Sequence, residues 1–528
     1  MTVSKWMHVG TVLKMNALNY PDKLGCQDKF KSFTFKEWNE RTCRLANALQ
    51  GMGVEKGDRV AVLSYNRVEW MDIYASCGKT GHVVVPILFR LGPNEFEYII
   101  NHAECKAFIV DEPFVEGVNS VREKLTTIPE GNFIFMGEGK TPEGYQNYEE
   151  VLAASSPDEP DVVVDSQDPW VIMYTSGTTG TPKGVVRNYD CNIAQYMLNN
   201  INMGVLPTDK PLLVMPTCHV NSVYYSFCYT YVSAPVMIYN SVSFDAEDLL
   251  KTIQDFKPTF TSLVPTHYTM LLGLPDEVKR KYDVSSMRQL LISSAPARKE
   301  LKKAIMEYFT SAELWEAYGA TETGLITYLR PEDQFSKLGS VGKEIFGIDE
   351  IKLFDEDGNE VPPGEVGELY ARSPLIFQTY WKEPERTKEV FRGEWCTAGD
   401  MGRMDEDGYY YLVDRKKNMI ITGGENVYPS EVEDLIATHP AVMEVAVIGI
   451  PDEKWGEAIK AVVVLKQGYQ ASDEMAKEIM DFTRGKITGF KRPKSVDFIS
   501  DEEMPRTATG KILHRVLREK YGTWSEAN

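Results

Sequence analysis

The sequence has no cysteines spaced for a metal site. Its eight cysteines are scattered, at Cys26, Cys43, Cys77, Cys105, Cys191, Cys218, Cys228 and Cys396. Without a Cys-x-x-Cys pair they support neither a zinc site nor a disulfide framework, so we expect reduced thiols in a cytosolic protein.

Long apolar runs are also absent. No stretch approaches the ~20 apolar residues that cross a bilayer. Residues 1–15 have neither the continuous apolar core nor the small-residue cleavage site of a secretory signal. We therefore expect a cytoplasmic protein without a transmembrane segment.

Positively charged residues are fewer than negatively charged ones. Lysine and arginine total 57 against 77 aspartates and glutamates, and the formal net charge is −20 at pH 7. A general nucleic-acid binder needs clustered positive charge to displace phosphate counterions, so that class of protein is excluded. An anionic ligand must instead be held by local donors.

The chain has an ordinary globular composition, with 43% hydrophobic and 25% charged residues, but its 528 residues exceed one compact core. Helical spacing alternates with short apolar strands in the first half. We predict helices over residues 35–52, 68–79 and 93–104 and strands over residues 59–64, 83–87 and 107–111. Such strand–helix–strand units indicate an α/β fold with a largely parallel sheet.

The alternation returns further on, which suggests a second, related layer. We predict helices over residues 246–256 and 298–309 and strands over residues 259–264 and 289–294. Beyond residue 340, short strands and the turn signal Asp355 to Asn359 indicate a small antiparallel barrel or sheet. From Ser430, a helix, strands over residues 445–450 and 458–465, and a helix over 472–486 indicate a compact α+β domain. We place the boundary between residues 414 and 415.

The segment from Thr175 to Gly184 carries the strongest chemical signal. It reads Thr-Ser-Gly-Thr-Thr-Gly-Thr-Pro-Lys-Gly and follows the apolar run Trp170 to Met173. A strand that leads into backbone N–H groups, hydroxyls and a lysine can wrap phosphate oxygens. It is neither a Walker A loop nor a Gly-x-Gly-x-x-Gly turn. The alternative without a binding function is a Ser/Thr/Gly linker, which would not be expected to follow a buried strand.

Five further motifs follow in order. They are Tyr318-Gly319-Ala320-Thr321-Glu322-Thr323, Gly399-Asp400, Asp414-Arg415-Lys416-Lys417, Gly423-Gly424-Glu425-Asn426 and the segment from Pro505 to Lys511. With the loop, they resemble the adenylate-forming superfamily of acyl-CoA synthetases, peptide-synthetase adenylation domains and beetle luciferases. Within it the chain is similar to bacterial ligases of small or medium acids, such as crotonobetaine/carnitine–CoA ligases.

The resemblance implies a large N-terminal domain, residues 1–414, with stacked, mostly parallel sheets and a small β-barrel-like part. A small, mobile α+β C-terminal domain, residues 415–528, would carry the hinge and the catalytic lysine. It also implies an ATP/AMP site made by Thr175, Ser176, Gly177, Thr178, Thr179, Lys183, Ala295, Pro296, Tyr318, Gly319, Ala320, Asp400 and Arg415.

Three residues of the Tyr318 motif have distinct expected roles. The Tyr318 ring suits stacking on adenine. The alternative is a tyrosine that only packs in the core at a strand end. The Thr321 hydroxyl would contact the α-phosphate. Glu322, with Thr178, would bind Mg²⁺, which prefers oxygen ligands. The alternative for an isolated Thr-Glu pair is a helix cap.

Asp400 and Arg415 would contact the ribose, because a carboxylate accepts and a guanidinium donates hydrogen bonds. A turn residue is the alternative for Asp400. The chain departs from the family at Ala398, where relatives carry threonine. It departs again at Ser293-Ser294, before Ala295-Pro296, where a more glycine-rich segment is usual.

Lys511 is the expected catalytic residue, together with Thr321 and Glu322. Its ammonium would bridge the attacking carboxylate and the α-phosphate and offset the charge that develops on phosphorus. A lysine on an exposed turn is the alternative.

The acyl pocket and the thiol path are expected at two further places. His219, Val220 and Gly319 would border the acyl pocket, with a histidine satisfied in the core as the alternative. Lys417 matches the family's hinge position. Gly423 and Gly424, which lack Cβ, would admit the pantetheine arm of CoA close to the backbone.

These expectations describe an ATP-dependent, AMP-forming acyl-CoA synthetase. It would form an acyl-adenylate and pyrophosphate from a small or medium apolar acid (alicyclic, aromatic or medium-chain) and then transfer the acyl group to CoA. The substrates would be the acid, ATP with Mg²⁺, and CoA, with no tightly bound prosthetic group. An adenylation enzyme that loads a carrier protein and a non-catalytic nucleotide sensor remain as alternatives. The oligomeric state is open, a homodimer included.

Overall fold

The computed structural model describes residues 7–175, 182–294, 297–506 and 511–522. The chain divides into two compact units. The first comprises residues 1–351 and 371–398, and the second comprises residues 352–370 and 399–528. The predicted domain boundary between residues 414 and 415 stays a prediction.

Within the described ranges, nine strands of the first unit form one sheet, in the order β16-β15-β14-β13-β12-β10-β11-β1-β2. The pairs from β1 through β11, β10, β12 and β13 to β14 are parallel, and the pairs β1–β2, β14–β15 and β15–β16 at the two ends are antiparallel. The strands are β1 (Leu24–Gln27), β2 (Ser32–Thr34), β10 (Pro211–Leu213), β11 (Val236–Ile238), β12 (Phe260–Leu263), β13 (Gln289–Ile292), β14 (Glu313–Ala320), β15 (Gly324–Leu329) and β16 (Lys343–Glu344).

A second sheet of the first unit has eight strands in the part of the chain that the structure covers, in the order β19-β9-β8-β4-β3-β5-β6-β7. Its pairs are parallel from β8 to β7, and β8–β9 and β9–β19 are antiparallel. The strands are β3 (Arg59–Leu63), β4 (Val83–Ile87), β5 (Cys105–Asp111), β6 (Phe133–Met136), β7 (Gln146–Asn147), β8 (Pro169–Thr175), β9 (Lys183–Asn188) and β19 (Thr379–Tyr380). The predicted largely parallel sheets are confirmed.

The two sheets share one apolar core. A buried cluster contains Val60 and Val171 of the second sheet together with Cys26, Ile238 and Phe260 of the first. Alternate residues of β3 and β4 face the other side of their sheet and pack in a cluster with side chains of the helix Pro93–Ala103. This alternation is the period of a strand covered on both faces, so the sheets are packed layers.

Helices cover the sheets, as the spacing predicts. The second helix illustrates the local cause, because Thr34 and Glu37 form a capping box at its start and Trp38, Leu45 and Leu49 line its buried side. The helices of this unit are α1 (Val9–Asn19), α2 (Phe35–Gly51), α3 (Glu69–Thr80), α4 (Pro93–Ala103), α5 (Val115–Asn119), α6 (Tyr148–Ala154), α7 (Tyr189–Met203), α8 (Val220–Ser226), α9 (Ala246–Phe256), α10 (Pro265–Leu272), α11 (Asp276–Lys279), α12 (Lys299–Tyr308) and α13 (Pro384–Glu389).

The predicted small sheet beyond residue 340 is present. Its strands follow the order β17-β18-β21-β20, with β22 paired to β21. They are β17 (Glu350–Phe354), β18 (Val366–Arg372), β20 (Phe391–Arg392), β21 (Trp395–Met404) and β22 (Tyr410–Arg415). An antiparallel bridge between Phe354 and Glu360 closes the predicted turn.

The remainder of the second unit is α+β, as predicted. Its sheet has the order β24-β23-β26-β25, and β27 pairs with β26. The elements are β23 (Ile420–Thr422), β24 (Glu425–Val427), α14 (Pro429–Ile436), β25 (Val442–Asp452), β26 (Gly456–Leu465), α15 (Asp473–Phe482), β27 (Ser495–Phe498) and α16 (His514–Tyr521).

One predicted helix is too long. The helix predicted over residues 472–486 ends at Phe482. The Thr483 hydroxyl donates to the Met480 carbonyl at 2.7 Å, and Gly485 has a φ of +71° that ends helical geometry. No helix in the described ranges is both long and apolar enough to cross a membrane.

Candidate active site

The phosphate-loop candidate connects two neighbouring strands of one sheet. Thr175 ends β8, Lys183 begins β9, and the two residues are cross-strand partners. The Thr175 hydroxyl is buried and has no hydrogen-bond partner among the described residues. Ser176, Gly177, Thr178 and Thr179 lie outside the described residues. The segment therefore joins adjacent strands rather than separate domains.

The Tyr318 motif forms the turn between β14 and β15. Tyr318 is buried, and Thr321 and Glu322 lie buried in the turn rather than at a helix N-terminus, where a cap would be. Within the turn, the Ala320 N–H donates to the Thr323 hydroxyl at 3.1 Å. From outside, the Tyr224 hydroxyl donates to the Ala320 carbonyl at 3.0 Å. These contacts fix the backbone that presents Glu322.

Glu322 meets the lysine of the loop. The Lys183 ammonium lies 3.1 Å from Glu322 Oε1. The Tyr380 hydroxyl donates to the same oxygen at 2.8 Å and also contacts the Lys183 ammonium. The structure thus brings together two predicted site residues that are far apart in the sequence, with a tyrosine that the motifs do not include.

Arg187 is a second site residue that the motifs do not include. It is fully buried on β9, and its Nη1 donates to the Thr321 carbonyl at 2.9 Å. Its guanidinium lies 5.0 Å from the centre of the Tyr224 ring. A charged residue inside the apolar run of β9 is the sequence signal that could have identified it, because a buried cation needs partners.

Gly319 allows the turn to close, and a side chain there should disrupt it. A Cβ at Gly319 would lie 2.1 Å from the Gly324 carbonyl oxygen and 2.7 Å from Leu325 Cα, both backbone atoms. We expect Gly319→Ala to lower the free energy of unfolding by about 1–3 kcal/mol, by analogy with overpacked cores, and to reduce AMP formation. Urea unfolding measures the first effect.

The matched control is Gly51→Ala at the end of α2, where no heavy atom lies within 4 Å of the new Cβ. Its stability should be unchanged or slightly higher, because alanine favours helices. Equal stability of the Gly319→Ala and Gly51→Ala proteins would contradict the assigned crowding.

The acyl-pocket candidates lie at the start of α8. His219 is the N-cap residue, half-buried, and its Nδ1 accepts from the Asn221 N–H at 3.3 Å. Val220 is buried. Asn221 Nδ2 donates to the Ser293 hydroxyl at 2.5 Å and to the Ser294 hydroxyl at 3.3 Å. A capping role accounts for the placement of His219, and its gating role stays a prediction.

The altered segment after β13 keeps a glycine-like backbone. Ser294 has a φ of +69°, a conformation that glycine adopts at less cost. This agrees with the glycine-rich segment that the resemblance implies here. Ala295 and Pro296 lie outside the described residues.

The second unit brings three predicted residues into one neighbourhood. Asp400 and Arg415 are cross-strand partners on β21 and β22, and Arg415 Nε lies 2.7 Å from Asp400 Oδ1. Asp400 therefore lies in a strand and not in a turn. Loss of hydration lowers the pKa of Lys511 most, repulsion by Arg415 lowers it further, and Asp400 opposes both.

The hinge and glycine candidates also belong to this unit. Lys417 lies in a 3₁₀ turn, Lys416–Asn418. Arg518 of α16 donates to the carbonyls of Lys417 at 3.1 Å and Asn418 at 2.6 Å. Gly423 and Gly424 both have positive φ, at +62° and +83°, in the turn between β23 and β24.

The donor set suits a magnesium ion that arrives with phosphates. No group of three or more His, Cys, Asp or Glu that could hold a metal occurs in the described part of the chain. A Mg²⁺ ion that arrives with phosphates is bound by those phosphates and by one or two carboxylates of the protein. One buried carboxylate, Glu322, therefore fits the ion.

Known proteins resemble the chain over nearly its whole length. The AMP-binding enzyme family model matches residues 13–381, and the AMP-binding enzyme C-terminal domain matches residues 431–511. Feruloyl-CoA synthase of Amycolatopsis sp is 34% identical over 494 residues, which cover 93% of this chain and 94% of the relative.

Solved structures agree. The anthranilate CoA ligase AuaEII, in complex with anthranoyl-AMP, has a TM-score of 0.86 and 30% identity, covering 98% of this chain and 97% of that one. ATP-bound MatB from Rhodopseudomonas palustris has a TM-score of 0.85 and 29% identity, covering 98% and 99%. The chain belongs to the AMP-binding enzyme family, in the adenylate-forming acyl-CoA synthetase superfamily, and is an acid–thiol ligase.

Proposed function

We propose that this AMP-forming acyl-CoA synthetase activates a small or medium aromatic acid. The acid carboxylate attacks the α-phosphate of ATP, which gives an acyl-adenylate and releases pyrophosphate. The thiol of CoA then attacks the acyl carbonyl and releases AMP. The observation that carries the adenylation step is the contact of Lys183 with Glu322 at the end of the phosphate loop.

The first step concentrates negative charge, and this chain supplies cations for it. Lys183 would bind the phosphates, and Lys511 would bridge the carboxylate and the α-phosphate. Electrostatic groups fixed in place before the reaction need no reorganisation while it proceeds, which is why they lower its barrier. Mg²⁺, held by Glu322 and the phosphates, would supply further charge stabilisation.

Asp400 and Arg415 would hold the ribose. Their ion pair fixes both side chains on adjacent strands, so a carboxylate and a guanidinium are held side by side. Tyr318, which is itself buried in β14, would stack on adenine.

For the second step, rotation at Lys417 would withdraw Lys511 and present Gly423 and Gly424 to the pantetheine arm. A hinge of this kind needs only a few residues to absorb the change in φ and ψ. The Arg518 bonds to the Lys417 and Asn418 carbonyls would stabilise one of the two hinge conformations.

An aromatic substrate is supported by the names of two similar enzymes, a feruloyl-CoA synthase and an anthranilate CoA ligase. Val220 and Tyr224 are buried and uncharged, and the Tyr224 hydroxyl donates to the Ala320 carbonyl of the Tyr318 motif. Such side chains suit a ring better than a charged group. We further propose that the protein is cytoplasmic and that it forms a homodimer. Light scattering, which measures the mass in solution, tests the homodimer.

A panel of acids tests the substrate class. We expect ferulate, anthranilate and indoleacetate to give more acid-dependent AMP than octanoate or cyclohexanecarboxylate, and CoA to raise AMP turnover. Pyrophosphate release and AMP formation, with and without CoA, are the measurements.

The panel also separates the alternatives. If AMP turnover rises with a phosphopantetheinyl carrier protein but not with CoA, the carrier protein is the acyl acceptor. Nucleotide binding without pyrophosphate release for any acid would indicate a sensor. A strong preference for octanoate would contradict the aromatic class alone.

A further inference from the structure

Tyr380 lies at the point where Lys183 and Glu322 meet. Its hydroxyl donates to Glu322 Oε1 at 2.8 Å, the oxygen that also lies 3.1 Å from the Lys183 ammonium. The same ammonium contacts the Tyr380 hydroxyl and lies 4.0 Å from the centre of its ring. One phenol therefore touches both Lys183, the expected phosphate ligand, and Glu322, the expected metal ligand.

The backbone and packing hold Tyr380 in place. On β19 it pairs with Val185 of β9, the strand that begins with Lys183. Its N–H donates to the Thr387 hydroxyl at 2.9 Å. Only 2% of the residue is exposed, and the ring packs in a cluster with Phe377 and Cys396. A side chain fixed in this way can hold a partner in one geometry.

The direction of the hydrogen bond is also fixed. The phenol has one proton, and its hydroxyl donates to Glu322 Oε1. An ammonium has no acceptor, so the proton of the hydroxyl goes to Glu322 and the Lys183 ammonium donates to the hydroxyl oxygen.

Nucleotide binding requires this arrangement to change. Lys183 and Glu322 neutralise each other in the structure, but the proposed reaction needs the lysine on a phosphate and the carboxylate on a metal ion. When Lys183 turns to the phosphates, Glu322 loses its contact with the ammonium. The Tyr380 hydroxyl can remain on the carboxylate, because its position depends on β19 and not on Lys183.

We propose that Tyr380 is a positioning residue that keeps the Glu322 carboxylate aligned for the nucleotide-bound cation while Lys183 moves to the phosphates. This role rests on the proposed function of the same site. It predicts an effect on metal-dependent nucleotide binding and a much smaller effect on nucleotide binding without metal.

Tyr380→Phe tests the role because it removes only the hydroxyl. Calorimetry would give the Kd of ATP in Mg²⁺ and in EDTA for the full chain. A lost hydrogen bond to a charged group should raise the Kd in Mg²⁺ by ~10-fold or more. The Kd in EDTA should change less than about twofold, since neither Lys183 nor the ring is removed. Binding of Mn²⁺–ATP, followed by electron paramagnetic resonance, should weaken in parallel.

The matched control is Tyr239→Phe. The Tyr239 hydroxyl also donates to a carboxylate, Asp248 Oδ2, at 2.8 Å, and Tyr239 is equally buried, but it lies outside the site. It should leave both dissociation constants unchanged. In a Glu322→Gln background, Tyr380→Phe should add little, because the two residues act through one contact.

Three results would overturn the role: equal weakening in Mg²⁺ and EDTA, no weakening at all, or additive effects of Tyr380→Phe and Glu322→Gln. Thermal unfolding of each variant shows whether it folds, and the Glu322→Gln comparison remains decisive if Tyr380→Phe is destabilised. Failure of the proposed reaction is distinguishable, because wild-type protein would then bind Mg²⁺–ATP and form no AMP with any acid.

Discussion

Replacement of Lys511 by alanine is expected to lower acid-dependent ATP–pyrophosphate exchange by ~10³-fold, the scale seen when one preorganised charge-stabilising group is removed. The reason is that the ammonium offsets charge only in the adenylation transition state. Transfer to CoA from supplied acyl-adenylate should fall by less than about threefold, because Lys511 makes no proposed contact in that step.

Lys477→Ala is the matched control, since it removes an exposed lysine from α15 of the same unit. Both half-reactions should keep their wild-type rates in this variant. Equal loss of both half-reactions in Lys511→Ala would contradict the catalytic assignment. A loss confined to CoA transfer would assign Lys511 to the second step instead of the first.

Local structure could be predicted because its causes are local. The strand predicted over residues 83–87 is β4 (Val83–Ile87), and the helix predicted over residues 246–256 is α9 (Ala246–Phe256). Both signals are short-range: a β-branched run in the first case and a helical repeat that follows the N-cap Asp245 in the second. The end of α15 was missed because a single hydroxyl and a glycine decide it.

Order across the sheets could not be predicted in the same way. β1 pairs with β11, and β19 pairs with β9. These pairings join segments far apart in the chain, and their stability comes from the shared core rather than from local propensity. The sequence predicts parallel layers but not which strands are neighbours.

The same distinction separates the predicted site residues from the missed ones. Lys183 and Glu322 each lie in a motif whose composition indicates phosphate or metal chemistry. Tyr380 and Arg187 have no such motif. The pairing of β9 with β19 reveals Tyr380, and the contact of β9 with the Tyr318 turn gives a role to Arg187, whose one sequence signal is its charge within an apolar strand. Side chains that position other side chains leave a weak sequence signal, because their role depends on tertiary contacts.

Replacement of Gly423 by alanine is expected to impair CoA transfer and to spare adenylation, the reverse of the pattern expected for Lys511→Ala. The residue has a φ of +62°, and a Cβ there would lie 2.8 Å from Cε3 of Trp455. The turn must shift to relieve this contact, and a displacement of about 1 Å at a reacting site costs ~100-fold. Transfer from supplied acyl-adenylate to CoA should fall by that factor, while ATP–pyrophosphate exchange should fall less than about threefold.

Gly485→Ala is the control that separates the effect of the Gly423 position from the effect of backbone strain alone. Gly485 belongs to the same unit and has a similar φ of +71°, but no heavy atom lies within 4 Å of a Cβ there. Both variants carry a comparable backbone cost of about 1–2 kcal/mol, and the contact with Trp455 adds to that cost only in Gly423→Ala. Only Gly423→Ala should lose CoA transfer. If Gly485→Ala loses it equally, general destabilisation accounts for the effect. If Gly423→Ala and Lys511→Ala lose the same half-reaction, the two residues do not serve different steps, and rotation at Lys417 has no role to perform.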